Sequence, residues 1–342
     1  MPKKIRFFES ASIFRLSILA LILVVAAFVM WLLMIWMPGT KYVGALPALN
    51  PMQAEMRSAL RRDIETLATT IGPRNVQYMD NMNKARKFLL KSLEDMGYIV
   101  EQQTYRALDE EFVNLIVEIP GTSRPQEIVV VGAHYDSAFN SPAANDNGSG
   151  VAATLSLARS YASRKPSRTV RFVFFANEEP PFNWTTGMGS LVYAKSCKAR
   201  AEKIVGMFSL ETIGYYSDAP KSQRYPQPID KLYPDTGNFI GFVSNLESRE
   251  LLRNAIRSFR HHTKFPSEGA ALPNALPGVG WSDHWSFWQV GYPAVMITDT
   301  ATFRYPHYHT EADTPDKLDY DRMTIVVSGI EQMLGDLTGA AV

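Results

Sequence analysis

The chain has 342 residues, 46% of them hydrophobic, with 18 Phe, 15 Tyr and 6 Trp, which supplies a large core and excludes a disordered chain. A net charge of +1, without an Arg/Lys stripe in the body of the sequence, argues against a nucleic-acid partner. The single cysteine, Cys197, excludes an intrachain disulfide and reads as a small buried apolar residue.

Residues 16–37 (LSILALILVVAAFVMWLLMIWM) carry no charge. At about 1.5 Å per residue they reach roughly 33 Å, enough to cross the hydrocarbon core as a transmembrane helix. Lys3, Lys4, Arg6 and Arg15 precede them, which places residues 1–15 in the cytoplasm and the rest outside, periplasmic or extracellular. Trp31 and Trp36 fall near the far end, at interfacial depth. A cleaved signal peptide is the competing reading, with Val43-Gly44-Ala45 as a late small-residue site. The apolar run is longer than the usual ~7–15 residues of such a signal, so a retained anchor is expected. No polar face exists to suit a soluble surface helix.

Residues 38–52 are rich in Pro and Gly and read as a linker; residues 53–342 form the body. A helical pattern over 53–71 is broken by Gly72-Pro73-Arg74-Asn75, and a second helix over 81–96 stops at Gly97. Strands are expected at 99–105, 112–119 and 127–133, the last with the continuously apolar Ile128-Val129-Val130-Val131 of a strand buried on both faces. A helix at 148–163, a strand at 170–176, a helix at 188–201 and a strand at 204–210 follow. Residues 215–237 read as a surface excursion, then come a helix at 248–263, a short strand at 294–298 and a closing helix at 320–337. This alternation predicts a three-layer α/β/α domain around a mixed, largely parallel sheet.

Unusual polar residues cluster at the expected strand ends. His134 and Asp136 follow one strand, Glu178 and Glu179 follow another, and Glu211 ends a third. Ligands bind outside the carboxyl ends of strands in such sheets. Asp146 stands in the turn-forming loop Asn145-Asp146-Asn147-Gly148-Ser149-Gly150. Singly, each is more often a loop residue, a helix cap or a solvated pair than a functional group. Together, four carboxylates at one edge raise each other's pKa unless a cation neutralises them, and imidazole with carboxylate suits zinc.

Five segments in order, Gly132-Ala133-His134-Tyr135-Asp136-Ser137, residues 145–150, Phe175-Ala176-Asn177-Glu178-Glu179, Ser209-Leu210-Glu211-Thr212-Ile213-Gly214 and Pro306-His307-Tyr308-His309-Thr310, resemble the ligand motifs of the M28 zinc peptidases. The resemblance spans roughly residues 55–340. It implies two zinc ions, one held by His134 and Glu211, the other by Glu179 and His309, with Asp146 bridging. It further implies Glu178 as general base, Tyr308 as oxyanion partner, Asp136 orienting His134, and Asp283 as a supporting or substrate-contacting acid. A cis Asp146–Asn147 peptide is also implied. Many members carry Asp where this chain has Glu211. The implied activity is release of N-terminal residues from a peptide or protein with a free N-terminus.

Two other readings compete. Glutaminyl cyclases resemble the same family and use one zinc, and Phe182-Asn183-Trp184 looks somewhat like theirs. A non-catalytic, membrane-anchored binding protein with a decayed site, as in transferrin-receptor-like relatives, is the other. Trp281, Trp285, Phe287 and Trp288 are candidates for a specificity pocket, with core packing expected for at least half of them. His261 and His262 are expected to face solvent at a helix end, and His284 to support the site or the core. His307 and His309 alternate in direction and should not share a metal.

Overall fold

The computed structural model describes residues 10–227 and 229–340. Lys3, Lys4 and Arg6 of the expected cytoplasmic segment, and Ala341 and Val342 at the end of the body, lie outside the described residues.

The first helix, α1, runs Ser10–Met34, the apolar side chains over residues 13–32 face outward, and Met34 packs against the body. Its stretch Ile13–Met34 has a mean hydropathy of 2.9 and none of that window is buried. The next helix, α2 (Pro51–Glu65), starts earlier than the apolar spacing predicts. Pro51 supplies the fixed φ of a first helical residue, and Asn50 and Gln53 close a reciprocal capping box ahead of it. A π-helical turn, Thr66–Ile71, extends it. Then follow α3 (Met79–Asp95), β1 (Glu101–Ala107), β2 (Glu110–Ile119), β3 (Arg124–His134), α4 (Gly148–Tyr161), β4 (Arg168–Phe175), α5 (Gly189–Ala199) and β5 (Lys203–Glu211). The chain ends with β6 (Ile240–Ser244), α6 (Arg249–His262), β7 (Ser267–Ala271), α7 (His284–Gln289), β8 (Ala294–Thr298) and α8 (Tyr320–Thr338).

One sheet is formed, in the order β1-β2-β4-β3-β5-β8-β6-β7. Its centre, β4-β3-β5-β8, is parallel. Antiparallel β2 and β1 flank one side, and the parallel pair β6–β7 meets β8 antiparallel on the other. Side chains alternate across the sheet with period two. Val129, Val131 and Ala133 of β3 join the core beneath α2, α3, α4, α6 and α8, while Ile128 and Val130 join the core beneath α5 and α7. Burial on both faces explains the unbroken apolar run of β3. The expected three-layer architecture is present. Cys197 is free and buried, as read from the sequence.

Candidate metal centre and substrate cleft

Because β4, β3, β5 and β8 run parallel, their carboxyl ends open on one edge. His134 is the last residue of β3 and Glu211 the last of β5. Glu178 and Glu179 lie just past β4, Asp146 lies in the loop before α4, and Tyr308 and His309 lie in the long loop between β8 and α8. Non-glycine residues with left-handed backbone mark these turns: Asn177 (φ 61°) immediately before Glu178, Thr212 (φ 43°) immediately after Glu211, and His309 itself (φ 60°). Such conformations persist where surrounding structure imposes them. The Asp146–Asn147 peptide is cis.

The five residues converge, and the Asp146 carboxylate divides them into two sets. His134 Nε2 lies 3.5 Å from Asp146 Oδ1 and 3.2 Å from Glu211 Oε2. His309 Nε2 lies 3.0 Å from the other oxygen, Asp146 Oδ2, and 3.2 Å from Glu179 Oε2. Four ligands at the usual zinc bond lengths of 2.0–2.1 Å in a tetrahedron stand about 3.3 Å from one another, close to these histidine–carboxylate separations, and His134, Asp146 and Glu179 offer ligand atoms within 4.8 Å of one another, so the two sets adjoin. Asp146 Oδ2, Glu179 Oε1 and His309 Nε2 are buried without a hydrogen-bond donor or acceptor, which is costly unless a cation or proton serves them. On this geometry and donor chemistry the residues fit a metal centre.

Charge in the cluster points the same way. Burial, with the Asp146 charge adding to it, pushes Glu179 up to about 8. Burial also pushes Glu211 up to about 7 against the opposing effect of His134. Burial disfavours the His309 imidazolium, but the close carboxylates of Asp146 and Glu179 prevail and push it up to about 11. Asp146, which burial alone would raise, is held well below the carboxylate range by the two imidazoles. The cluster thus shares protons among acids and imidazoles where a cation would take their place.

A buttress of hydrogen bonds aims these side chains. Asp136 accepts from the Glu178 and Glu179 amides, both at 3.0 Å, while its Oδ1 stands 3.4 Å from His134 Nδ1. The carboxylate expected to steer His134 therefore chiefly holds the Glu178–Glu179 turn. Asn147 donates to Leu210 O at 2.8 Å and accepts from the Thr212 amide at 3.1 Å, tying the Asp146 loop to the end of β5. A Cβ on Gly150 would lie 2.2 Å from the Leu210 carbonyl oxygen, so that position admits only glycine if α4 is to approach β5. Ser282 donates to Glu211 Oε2 at 2.7 Å. Asp283 is fully buried near His134, and neither of its carboxylate oxygens has a hydrogen-bond partner among the described residues.

Two further residues went unread in the sequence. Asp313 accepts from the Asn145 and Asp146 amides at 2.8 and 3.0 Å, and from the Tyr305 hydroxyl at 2.8 Å. Arg74, in the segment read only as a helix break, is fully buried. It donates to the carbonyls of Tyr135 (2.7 Å), Pro142 (2.7 Å) and Ala143 (3.1 Å), clamping the His134 and Asp146 loops together. A lone arginine in a loop carries no local signal of such a role.

Beside the ligands lies an apolar cleft lined by Tyr225, Phe239, Val279, Trp281, Met296 and Phe303, with Glu211 and Tyr308 at its inner end. Of the four aromatic candidates only Trp281 lines it; Phe287 and Trp288 are buried in the core and Trp285 packs against it. His284 is buried with Nε2 2.7 Å from the Val279 carbonyl oxygen, which is a structural contact. His307 packs on Tyr305, and His261 and His262 are exposed on the last turn of α6.

An α/β sheet with an imidazole–carboxylate cluster at its carboxyl edge has the architecture of a metallohydrolase. Residues 114–333 match peptidase family M28. The Escherichia coli K12 protein YfbL is 35% identical over 302 residues, 86% of this chain and 91% of that one. The chain therefore belongs to peptidase family M28. A probable leucine aminopeptidase 1 of Trichophyton verrucosum is 28% identical over 226 residues; the match covers 61% of this chain and only 54% of that protein, about half its length. Among solved structures, the zinc aminopeptidase BSAP from Bacillus subtilis superposes with a TM-score of 0.67 at 15% identity, over 86% of this chain and 96% of that one. Glutaminyl cyclase from Fimbriiglobus ruber superposes with a TM-score of 0.61 at 20% identity, over 86% and 98%.

Proposed function

We propose that this protein is a zinc-dependent aminopeptidase with two zinc ions per chain, anchored by residues 16–37 with its body, residues 53–342, outside the cytoplasm. His134, Glu211 and one oxygen of Asp146 would hold one ion; His309, Glu179 and the other oxygen would hold the second. The single observation that carries this reading is the split Asp146 carboxylate, one oxygen turned to each histidine. When bound, the ions supply Lewis acidity that brings a water's pKa toward neutrality and polarises the scissile carbonyl.

The protein's own groups do the rest. Glu178, 3.9 Å from His134 Nε2, receives the proton of the attacking water and passes it to the leaving amine. Burial and then the neighbouring acids Glu179 and Glu211 raise its pKa well above the usual carboxylate value, against the opposing charge of His134. That suits a group that must both accept and release a proton near neutral pH. Tyr308 keeps its proton, because burial first and the charges of Asp146 and Glu179 next hold its pKa well above ordinary tyrosine, so its hydroxyl donates to the carbonyl oxygen as charge develops. The acidic cluster attracts a substrate ammonium end, and the apolar cleft takes the side chain of the first residue.

Metal content and an aminoacyl-arylamide panel, with and without chelator, test this. Two zinc atoms per chain and chelator-sensitive release of the arylamine are expected. No turnover of any free-amine substrate by metal-loaded protein refutes the reading. The cyclase alternative draws on the fold likeness and on Trp184, half exposed with its ring 6.4 Å from that of Trp281 at the cleft. One zinc per chain and cyclisation of N-terminal glutamine would favour it.

A further inference from the structure

The segment after the apolar helix is not a free tether, although its composition reads as a linker. Arg253 and Arg260 stand seven residues apart on α6 and so share a face. Arg253 donates to the Leu32 carbonyl at 2.5 Å, near the end of α1, and its guanidinium lies 5.2 Å from the Trp36 ring centre. Arg260 donates to the carbonyls of Met37, Pro38 and Gly39 at 3.4, 3.1 and 3.3 Å. Met37 is buried in a slot that exists because residue 269 is glycine: a Cβ there would lie 2.8 Å from Met37 Cγ. Lys41 pairs with Glu268. Anchor and body are therefore joined without a flexible span.

The strand that receives the anchor also walls the cleft. Glu268, Gly269 and Ala270 of β7 line it, with Ile229 and Tyr233. Tyr233 donates to the Gly269 carbonyl at 2.9 Å and so seats residues 229–233 on β7. Leu232 in that segment is 51% exposed. An exposed leucine has the chemistry of a lipid contact, and the strand that seats its segment, β7, also receives Met37 at the end of the apolar span. From there the cleft runs inward to Glu211 and Tyr308.

We propose that residues 229–233 and the outer end of the cleft rest on the bilayer surface, so that the substrates are peptides held at the membrane by an acyl chain or apolar segment, with a free N-terminus reaching the metal centre. This rests on the anchored-aminopeptidase reading. The opposite sheet edge, β1, lies seven strand spacings away, roughly 34 Å, and Ile99 just before it is fully exposed to water.

The test uses full-length protein in phospholipid vesicles. A fluorophore is placed on Leu232→Cys or Ile99→Cys, and quenching by nitroxide lipids is measured. Loss of signal at 232 and none at 99 is expected. Equal quenching at both, or none at 232 in protein that floats with the vesicles, overturns the docking alone; protein that does not float overturns the anchor as well. In a second arm, one peptide is offered soluble and with a C-terminal acyl chain in the same vesicles. A higher kcat/KM for the acylated form is expected, lost on insertion of a flexible Gly-Ser stretch after Thr40 combined with Arg253→Ala and Arg260→Ala, with soluble turnover unchanged. No preference, or a preference that survives the loosened joint, refutes the substrate assignment, while soluble turnover reports separately on the peptidase reading.

Discussion

Replacing Arg74 with methionine preserves much of the side chain's volume and removes its donors. Three carbonyls, of Tyr135, Pro142 and Ala143, then lose bonds of 2.7–3.1 Å in a buried place. Burial pulls the Arg74 pKa down to about 10, which leaves it charged at neutral pH, while Asp136, Asp313, Asp146 and Glu179 favour that charge. Breaking such a buried network costs about 3–5 kcal/mol, against a total stability of roughly 5–15 kcal/mol. At about 2–4 °C per kcal/mol for a large domain, Tm should fall by roughly 6–20 °C. The clamped loops carry His134 and Asp146, so a shift of about 1 Å should lower kcat/KM up to ~100-fold. Arg74→Lys keeps the charge but not the fork, and should fall between the two. Calorimetry and arylamide kinetics on the three proteins decide the matter. If Arg74→Met melts with the parent and retains its kcat/KM, the clamp is not what positions these loops.

Glu178→Gln should lower kcat by about 10²–10⁴ while zinc content stays at the parental level; unchanged turnover would remove Glu178 from proton transfer. Glu202 illustrates acid sensitivity far from the site. Burial raises its pKa, but bidentate Arg171 (2.7 and 3.0 Å) and Arg200 outweigh burial and lower it to about 2. Its stabilising contribution is complete above the unfolded carboxylate pKa near 4.5 and fades as pH falls toward 2. Urea midpoints of parent and Glu202→Gln should therefore differ at pH 6 and converge near pH 2; a constant difference would exclude the linkage.

The strands and helices with strong periodicity were legible in the chain: the apolar run of β3, the amphipathic α6 and the long α8 all form within a few residues of their expected bounds. The strands at 240–244 and 267–271 were not. The second reads SEGAA, with no apolar run and no β-branched residue, and it is a strand because β6 offers it a ladder. Helix α7 is a single short segment and leaves no periodic trace. The five candidate ligands were legible for a different reason. His134, Glu179 and Glu211 stand at or just past the ends of buried parallel strands, which are themselves visible in sequence order, whereas Asp146 and His309 lie in loops and were indicated by the family motifs.

What the sequence determined by itself is therefore the donor types, the strand ends that carry them and the apolar span ahead of them. Tertiary structure alone decided which oxygen of Asp146 faces which histidine, because that depends on loops from four separate elements meeting at one edge. It also decided the roles of Arg74 and Asp313, whose bonds to the His134 and Asp146 loops span more than sixty residues of chain and whose neighbours carry no pattern. And only the complete sheet brings residues 37–41 of the expected linker region against Arg260, Gly269 and Glu268.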